Sequence, residues 1–512
     1  MMTNPAVAMR MLITYAICIP LAILVGYLLT NPLDYGTLGF LGLIVALVFS
    51  PIFIKWHYPI LVFGLGCPMY VFFLKGNPPL WQVVTIISFG IAIIERTLSS
   101  ERRFISVSSI TWPLVFIGTM ALFTAQLTGG IGLNALGSQV AGGKKYITLF
   151  IGIAMFFALT SRTIPKDKRN LYIALFWLAG TPAFLSDLFP VLPSPLNYIN
   201  LLFPPSATAD FNLGTTRLGA FATTASVLAS FMLVKLGLRG IFTSVKPWRV
   251  VLFLLLLSLT LLGGFRLAVI GYMMTFGLLF YLEKLYKTRM LLVFLMGAAL
   301  GLALLVPFSN KLPTTYQRAL SFIPFLEWDT QTKLDAEGST EWRYKMWHDL
   351  WPQVPQYLLL GKGYAFSQLE LQESMGHGVF ANGIAAQLDA SQDSLALSGD
   401  YHSGPLSTLM PFGIWGGIGM LWLMAACLRI HYRNYKYSLS ELKTVNSFML
   451  ASCIVHIFSF FFLFGSFSND VGEFAKQVGL CIALNGGVLG PKPQSAFQPQ
   501  LQPLPQPRPQ VA

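Results

Sequence analysis

The sequence predicts an all-α polytopic membrane protein on two observations. Of its 512 residues 54% are hydrophobic and only 11% charged, with a mean hydropathy of +0.63, far from the balance of a soluble domain of this length. Apolar runs close to the roughly 20 residues that an α-helix needs to cross a bilayer also recur along most of the chain. Candidate spans fall near 11–30, 37–54, 58–74, 80–95, 111–127, 146–161, 171–189, 217–235, 249–264, 266–283, 290–308, 403–428, 445–467 and 473–490, so about 12–14 transmembrane helices are expected. Arg10 followed by Met11 to Leu29 has the outline of a signal peptide. No small-residue cleavage site follows and further spans do, so it reads as the first, retained helix.

A net charge of +13 would suggest nucleic acid in a soluble protein, but here it reads as topology. With the N-terminus inside, most Lys and Arg fall on cytoplasmic segments, including Arg162/Lys166/Lys168/Arg169, Lys235/Arg239/Lys246/Arg249 and Arg429/Arg433/Lys436/Lys443. The short outer loops hold little beyond Lys75, Lys144 and Lys145. The positive-inside rule therefore puts both termini in the cytoplasm, and no nucleic-acid partner is expected. Cys18, Cys67, Cys427, Cys453 and Cys481 all lie in apolar runs and form no CxxC pair, which implies neither a disulfide framework nor a thiolate metal site.

Four regions follow. Residues 1–216 are N-terminal transmembrane helices. Residues 217–430 carry the candidate chemistry and include an extracytoplasmic loop, 309–401. Residues 431–490 are C-terminal helices, and 491–512 form a Pro/Gln-rich tail whose composition predicts disorder. The loop holds eleven Asp/Glu against six Lys/Arg and reads as a partly helical cap. The apolar run Val250 to Leu282 would be about 50 Å long as one helix, too long for an untilted span, and is expected to turn at Gly263-Gly264.

That turn puts Arg266 at the outer end of a hairpin, level with Arg217, which opens the eighth span. Positive charge is disfavoured on that side, and an arginine in the hydrocarbon costs about 2.5–3.5 kcal/mol at a helix centre, less near the interface. Each could simply snorkel to headgroups, but two at one level suggest an anionic partner. Arg343 lies in Glu341-Trp342-Arg343-Tyr344-Lys345-Met346-Trp347, where Trp347, Leu350 and Trp351 give a helix one apolar side. It reads either as an amphipathic helix near the membrane face or as a surface helix with a solvated charge. Leu360-Gly361-Lys362-Gly363-Tyr364 is a glycine turn that lets backbone approach something closely. His402 stands where the chain re-enters the membrane; it could take a proton from a hydroxyl, with Asp400 orienting it, or be only an interface residue. The outer loops have no Asp-x-Asp pair, and the chain has no Walker or HExxH sequence, so no metal or cofactor is expected.

In order and spacing, four elements resemble the O-antigen ligase and polymerase superfamily of bacterial envelope glycosyltransferases. They are Arg217-Leu218-Gly219-Ala220-Phe221, Arg266 at the head of a helix, Trp342-Arg343 through Leu360-Gly361-Lys362-Gly363, and His402 followed by Phe412-Gly413-Ile414-Trp415-Gly416. The similarity covers roughly 210 to 430. The chain departs from the common pattern at Phe265, where Ser is usual, and at Ser403, where Asn is.

The resemblance implies a GT-C-like helical fold in the bacterial inner membrane. It also implies a polyprenyl-diphosphate-linked glycan donor, a glycan, lipid or protein acceptor, and a metal-independent inverting transfer in lipopolysaccharide or exopolysaccharide synthesis. Under it, Arg217 and Arg266 bind the diphosphate, Arg343 assists from the loop, and His402 is the base. The alternatives are a lipid-linked oligosaccharide flippase, for which fourteen spans is a plausible size but which usually shows repeated halves and midplane charges, and an inactive assembly component.

Overall fold

The structure, a computed structural model, describes residues 5–28, 30, 34–74, 76–99, 104–128, 140–188, 192–205, 208–210, 215–367, 399 and 401–491. Asp400, His377, Lys75, the loop stretch 368–398 and the tail beyond Pro491 lie outside the described residues.

The described chain is predominantly helical. The first helices are α1 (Pro5–Leu28), α2 (Tyr35–Gly64), α3 (Leu80–Leu98), α4 (Ser108–Leu127), α5 (Gly143–Thr160), α6 (Arg169–Leu178) and the short α7 (Ile199–Leu202). Next come α8 (Gly219–Phe242), α9 (Trp248–Thr260), α10 (Arg266–Leu282) and α11 (Met290–Phe308). The polar loop supplies α12 (Thr314–Leu320), α13 (Thr330–Leu350) and α14 (Val354–Tyr357), and the chain closes with α15 (Gly404–Lys436), α16 (Lys443–Phe462) and α17 (Phe467–Asn485). Two small antiparallel pairs join loops: β1 (Val140–Ala141) with β4 (Phe366–Ser367), and β2 (Thr208–Asp210) with β3 (Thr215–Arg217).

Eight helices among the described residues are long and apolar enough to cross a bilayer, and three apolar stretches, 14–27, 248–263 and 266–282, are shorter. This is an all-α polytopic membrane protein. Four expected spans differ in detail. The runs 37–54 and 58–74 are not two helices: α2 continues past Pro51 and Pro59 to Gly64, and 65–79 is largely irregular, with Tyr70 donating its N–H to the Leu202 carbonyl. A proline removes one backbone bond and bends a helix, but a membrane helix tolerates it. The run 171–189 is a ten-residue helix followed by a 3-10 segment over Thr181–Asp187. The last span starts earlier than expected, at Phe467, and carries Asp470, Glu473 and Lys476.

Burial explains the arrangement. One apolar core joins α8 to α2, α9, α10 and α16, and a second joins α4 and α5 to α15 and α17. By contrast α11 has no buried residue; with an all-apolar sequence it is a helix whose whole circumference suits lipid. The expected turn at Gly263-Gly264 is present: a 3-10 turn over Leu261–Gly263 leads to Gly264 at φ +65°, and α10 begins at Arg266. A side chain at Gly264 would take a strained left-handed backbone.

Candidate functional site

At one end of the bundle a cavity of about 590 Å³ is lined by Arg217, Arg266, Arg343 and His402, together with Arg318. Each group arrives by a different element. Arg217 ends β3, paired across the hairpin with Thr208, two residues before α8. Arg266 is the first residue of α10. Arg318 sits on α12 and Arg343 on α13. His402, at φ +49°, is the hinge between the loop and α15. All four sequence-predicted residues are therefore brought together.

The arginines cluster around the Gly264 turn. A methyl group built there would lie 3.7 Å from the Arg318 Cδ and 3.9 Å from the Arg217 Cδ. Asp335 from α13 faces both: its carboxylate accepts from Arg318 Nε and lies 3.8 Å from Arg217 Nη2. These three side chains are only 12–20% exposed, so their charges are screened less than surface charges. Burial, and then the nearby Arg318 charge, pull the Arg343 guanidinium below its ordinary pKa. Its Nε is buried without a hydrogen-bond partner among the described residues. Four guanidinium groups against one carboxylate make the recess strongly cationic and suited to a multiply charged anion.

His402 is walled by aromatic rings. Its ring centroid lies 4.9 Å from that of Phe464 and 5.4 Å from that of Trp342. The carbonyl before it is also fixed, because Trp347 Nε1 donates to the Tyr401 oxygen at 2.8 Å. Thr340, Arg343, Tyr344 and Trp347 present one face of α13 to the cavity, as their i, i+3, i+4, i+7 spacing requires.

Of two sequence readings of the loop, one needs correction. The apolar side of α13 packs on protein, with Trp351 beyond its end left half-exposed. Met346, Trp342, Trp347 and Leu350 pack on Val354, Tyr401, Leu406 and Met410, because the loop folds back onto the start of α15 and offers apolar protein surface there. The Gly361–Gly363 turn makes the close backbone approach that its glycines imply. Lys362 and Gly363 donate backbone N–H bonds to Met410 and Pro411, and a Cβ at Gly361 would lie 2.1 Å from the Pro411 oxygen. What its glycines let the backbone approach is α15.

Sequence reasoning missed Arg318, Asp335 and Phe464. Arg318 and Asp335 stand in the acidic loop among many solvated charges, and only their mutual contact distinguishes them. Phe464 lies in an ordinary apolar run. Among the described residues no three His, Cys, Asp or Glu side chains gather as a metal-ligand set.

The chain is thus a multi-pass helical membrane protein with four arginines, an aspartate and a histidine gathered around one recess at an end of its bundle. Residues 250–423 match the family model Wzy_C, described as O-antigen ligase, so that segment, about a third of the chain, is similar to the O-antigen ligase superfamily. The segment holds Arg266, Arg318, Asp335, Arg343 and His402 and leaves Arg217 and Phe464 outside. At family level this match supports O-antigen ligase-like glycan transfer. A comparison with curated proteins gives no match.

Proposed function

We propose that this protein transfers or polymerises a glycan from a polyprenyl-diphosphate donor on the outer face of the bacterial inner membrane, with both termini in the cytoplasm. The observation that supports this reading is the shared cavity of Arg217, Arg266, Arg343 and His402. In the reaction, the acceptor hydroxyl oxygen attacks the anomeric carbon, the bond from that carbon to the phosphate oxygen breaks with inversion, and polyprenyl diphosphate leaves. Negative charge grows on the diphosphate as the bond breaks. Arg217 and Arg266 fork onto its oxygens and stabilise that charge, which is the work a divalent cation does in other transferases. Arg343 assists from the loop.

His402 takes the proton of the acceptor hydroxyl. The aromatic wall of Trp342 and Phe464 keeps water from the imidazole and holds it in one orientation. The loop region 309–401 caps the cavity, 217–430 is the catalytic region, and 1–216 and 431–490 are the helices around it.

The test is His402→Ala in a strain whose surface glycan depends on this chain. Polymer or conjugate formation should disappear while the protein is still made and inserted, and full retained activity would refute the base assignment. Accumulation of the lipid-linked glycan on the outer leaflet is the accompanying expectation, whereas accumulation on the inner leaflet would instead indicate transport.

A further inference from the structure

In the structure, Asp335 occupies a position that an anion would take. Its carboxylate sits between Arg318 and Arg217, as a phosphate sits between two guanidinium groups. Arg318 sits on a helix that has anchors other than Asp335. Its neighbour Gln317, 3% exposed, is locked by three hydrogen bonds: Nε2 donates to the Asn310 and Leu312 carbonyls at 3.2 and 2.8 Å, and Oε1 accepts from the Asp329 N–H at 2.8 Å. Two of these bonds hold the short helix α12 from its own side, and the third ties it to the N-cap of α13 two turns before Asp335. A carboxylate carries one negative charge and pairs with two of the cavity's four arginines here. A diphosphate carries more charge and more acceptor oxygens, so it competes well for the same donors.

We propose that Arg318 is a further diphosphate-binding residue, and that Asp335 is a built-in carboxylate surrogate which holds the arginines together until the donor's diphosphate displaces it. This rests on the reading of the cavity as a diphosphate site. Displacement frees the first turns of α13, the helix that also carries Arg343 and Trp347, so arrival of the donor is coupled to the setting of the wall beside His402. In the absence of an anion the carboxylate relieves repulsion among the arginines; in its presence the same carboxylate is the competitor.

The test uses the purified full-length protein in detergent with inorganic pyrophosphate as the probe, measured by calorimetry. The parent protein should bind it, Asp335→Asn should tighten binding about fivefold or more, and Arg318→Ala should weaken it about tenfold, as expected for loss of a charge-assisted contact. Binding that is unchanged or weaker in Asp335→Asn would overturn the proposal and make Asp335 a structural strap.

No binding by the parent would instead remove the diphosphate site itself and the proposal with it. Because Asp335→Asn could fail to fold, hydrogen exchange on the parent is the second measurement. Pyrophosphate should speed exchange of the amides of residues 332–338, and unchanged or slower exchange there overturns the displacement.

Discussion

The imidazole of His402 packs against the ring of Phe464, their centroids 4.9 Å apart, so a residue from the α16–α17 turn forms part of the wall around the proposed base. A side chain 62 positions away in the sequence thereby holds the histidine in register with the cavity. Removing the ring in Phe464→Ala should lower turnover at least about tenfold with little change in KM, because misplacing a reacting group by a fraction of an ångström is costly. Phe464→Leu should recover part of it. Steady-state kinetics of both variants check this, and a pure KM effect would argue against a positioning role.

Phe464 is held in turn by a buried polar clamp. Asp470 Oδ2 accepts from the Ser466 N–H at 2.6 Å, its Oδ1 lies 2.6 Å from His456 Nε2, and the Ser407 hydroxyl donates to the Gly465 carbonyl at 3.1 Å. Asp470→Ala should cost about 2–3 kcal/mol of stability by leaving an N–H and an imidazole unsatisfied, and should lower turnover as well. Thermal unfolding in detergent, paired with the transfer assay, reads both. Normal activity in a destabilised variant would mean that the clamp serves the fold alone.

Arg217 and Arg266 approach from β3 and α10, and their proposed role depends on planar, two-pronged contacts. Lysine keeps the charge and loses the fork. Both Arg217→Lys and Arg266→Lys should therefore reduce transfer at least about tenfold, with the loss of a charge-assisted bond in each. Activity equal to the parent's in both variants would exclude bidentate phosphate contact.

Gly413 interrupts α15 at φ +59° and ψ −154°, and a Cβ there would lie 2.3 Å from the Leu358 oxygen. Only glycine is at ease in that backbone region, and the clash adds to the strain, so Gly413→Ala should destabilise by more than about 3 kcal/mol. Gly417→Ala, whose nearest neighbour would be Leu409 Cδ2 at 3.6 Å, should stay within about 1 kcal/mol of the parent. Recovery of monodisperse protein after detergent extraction distinguishes them. Equal recovery would show that the break in α15 is not required for folding.

The membrane class, the turn at Gly263-Gly264 and the charges of Arg217 and Arg266 in an apolar context were legible in the sequence as local properties, whereas Arg343 and His402 had bland alternatives and were given roles by the family resemblance. Apolar run length is set by bilayer thickness, and a charge in an oily context is conspicuous wherever it points. Span boundaries around Pro51 and Pro59 were not legible, since whether a proline ends or merely bends a helix depends on what packs against it. The glycines at 361–363 announced a close approach but not its target, which is the backbone of α15.

Arg318 and Asp335 lay among the other charges of the loop and were indistinguishable from solvated ones. Composition and apolar run length by themselves determined the kind of protein, and short motifs that resemble a known family named four side chains worth following. Only the tertiary structure decided that a carboxylate lies between two of the cavity's arginines and that Phe464 walls His402, because both are contacts across distant segments, and no residue's local sequence records what the folded chain brings next to it.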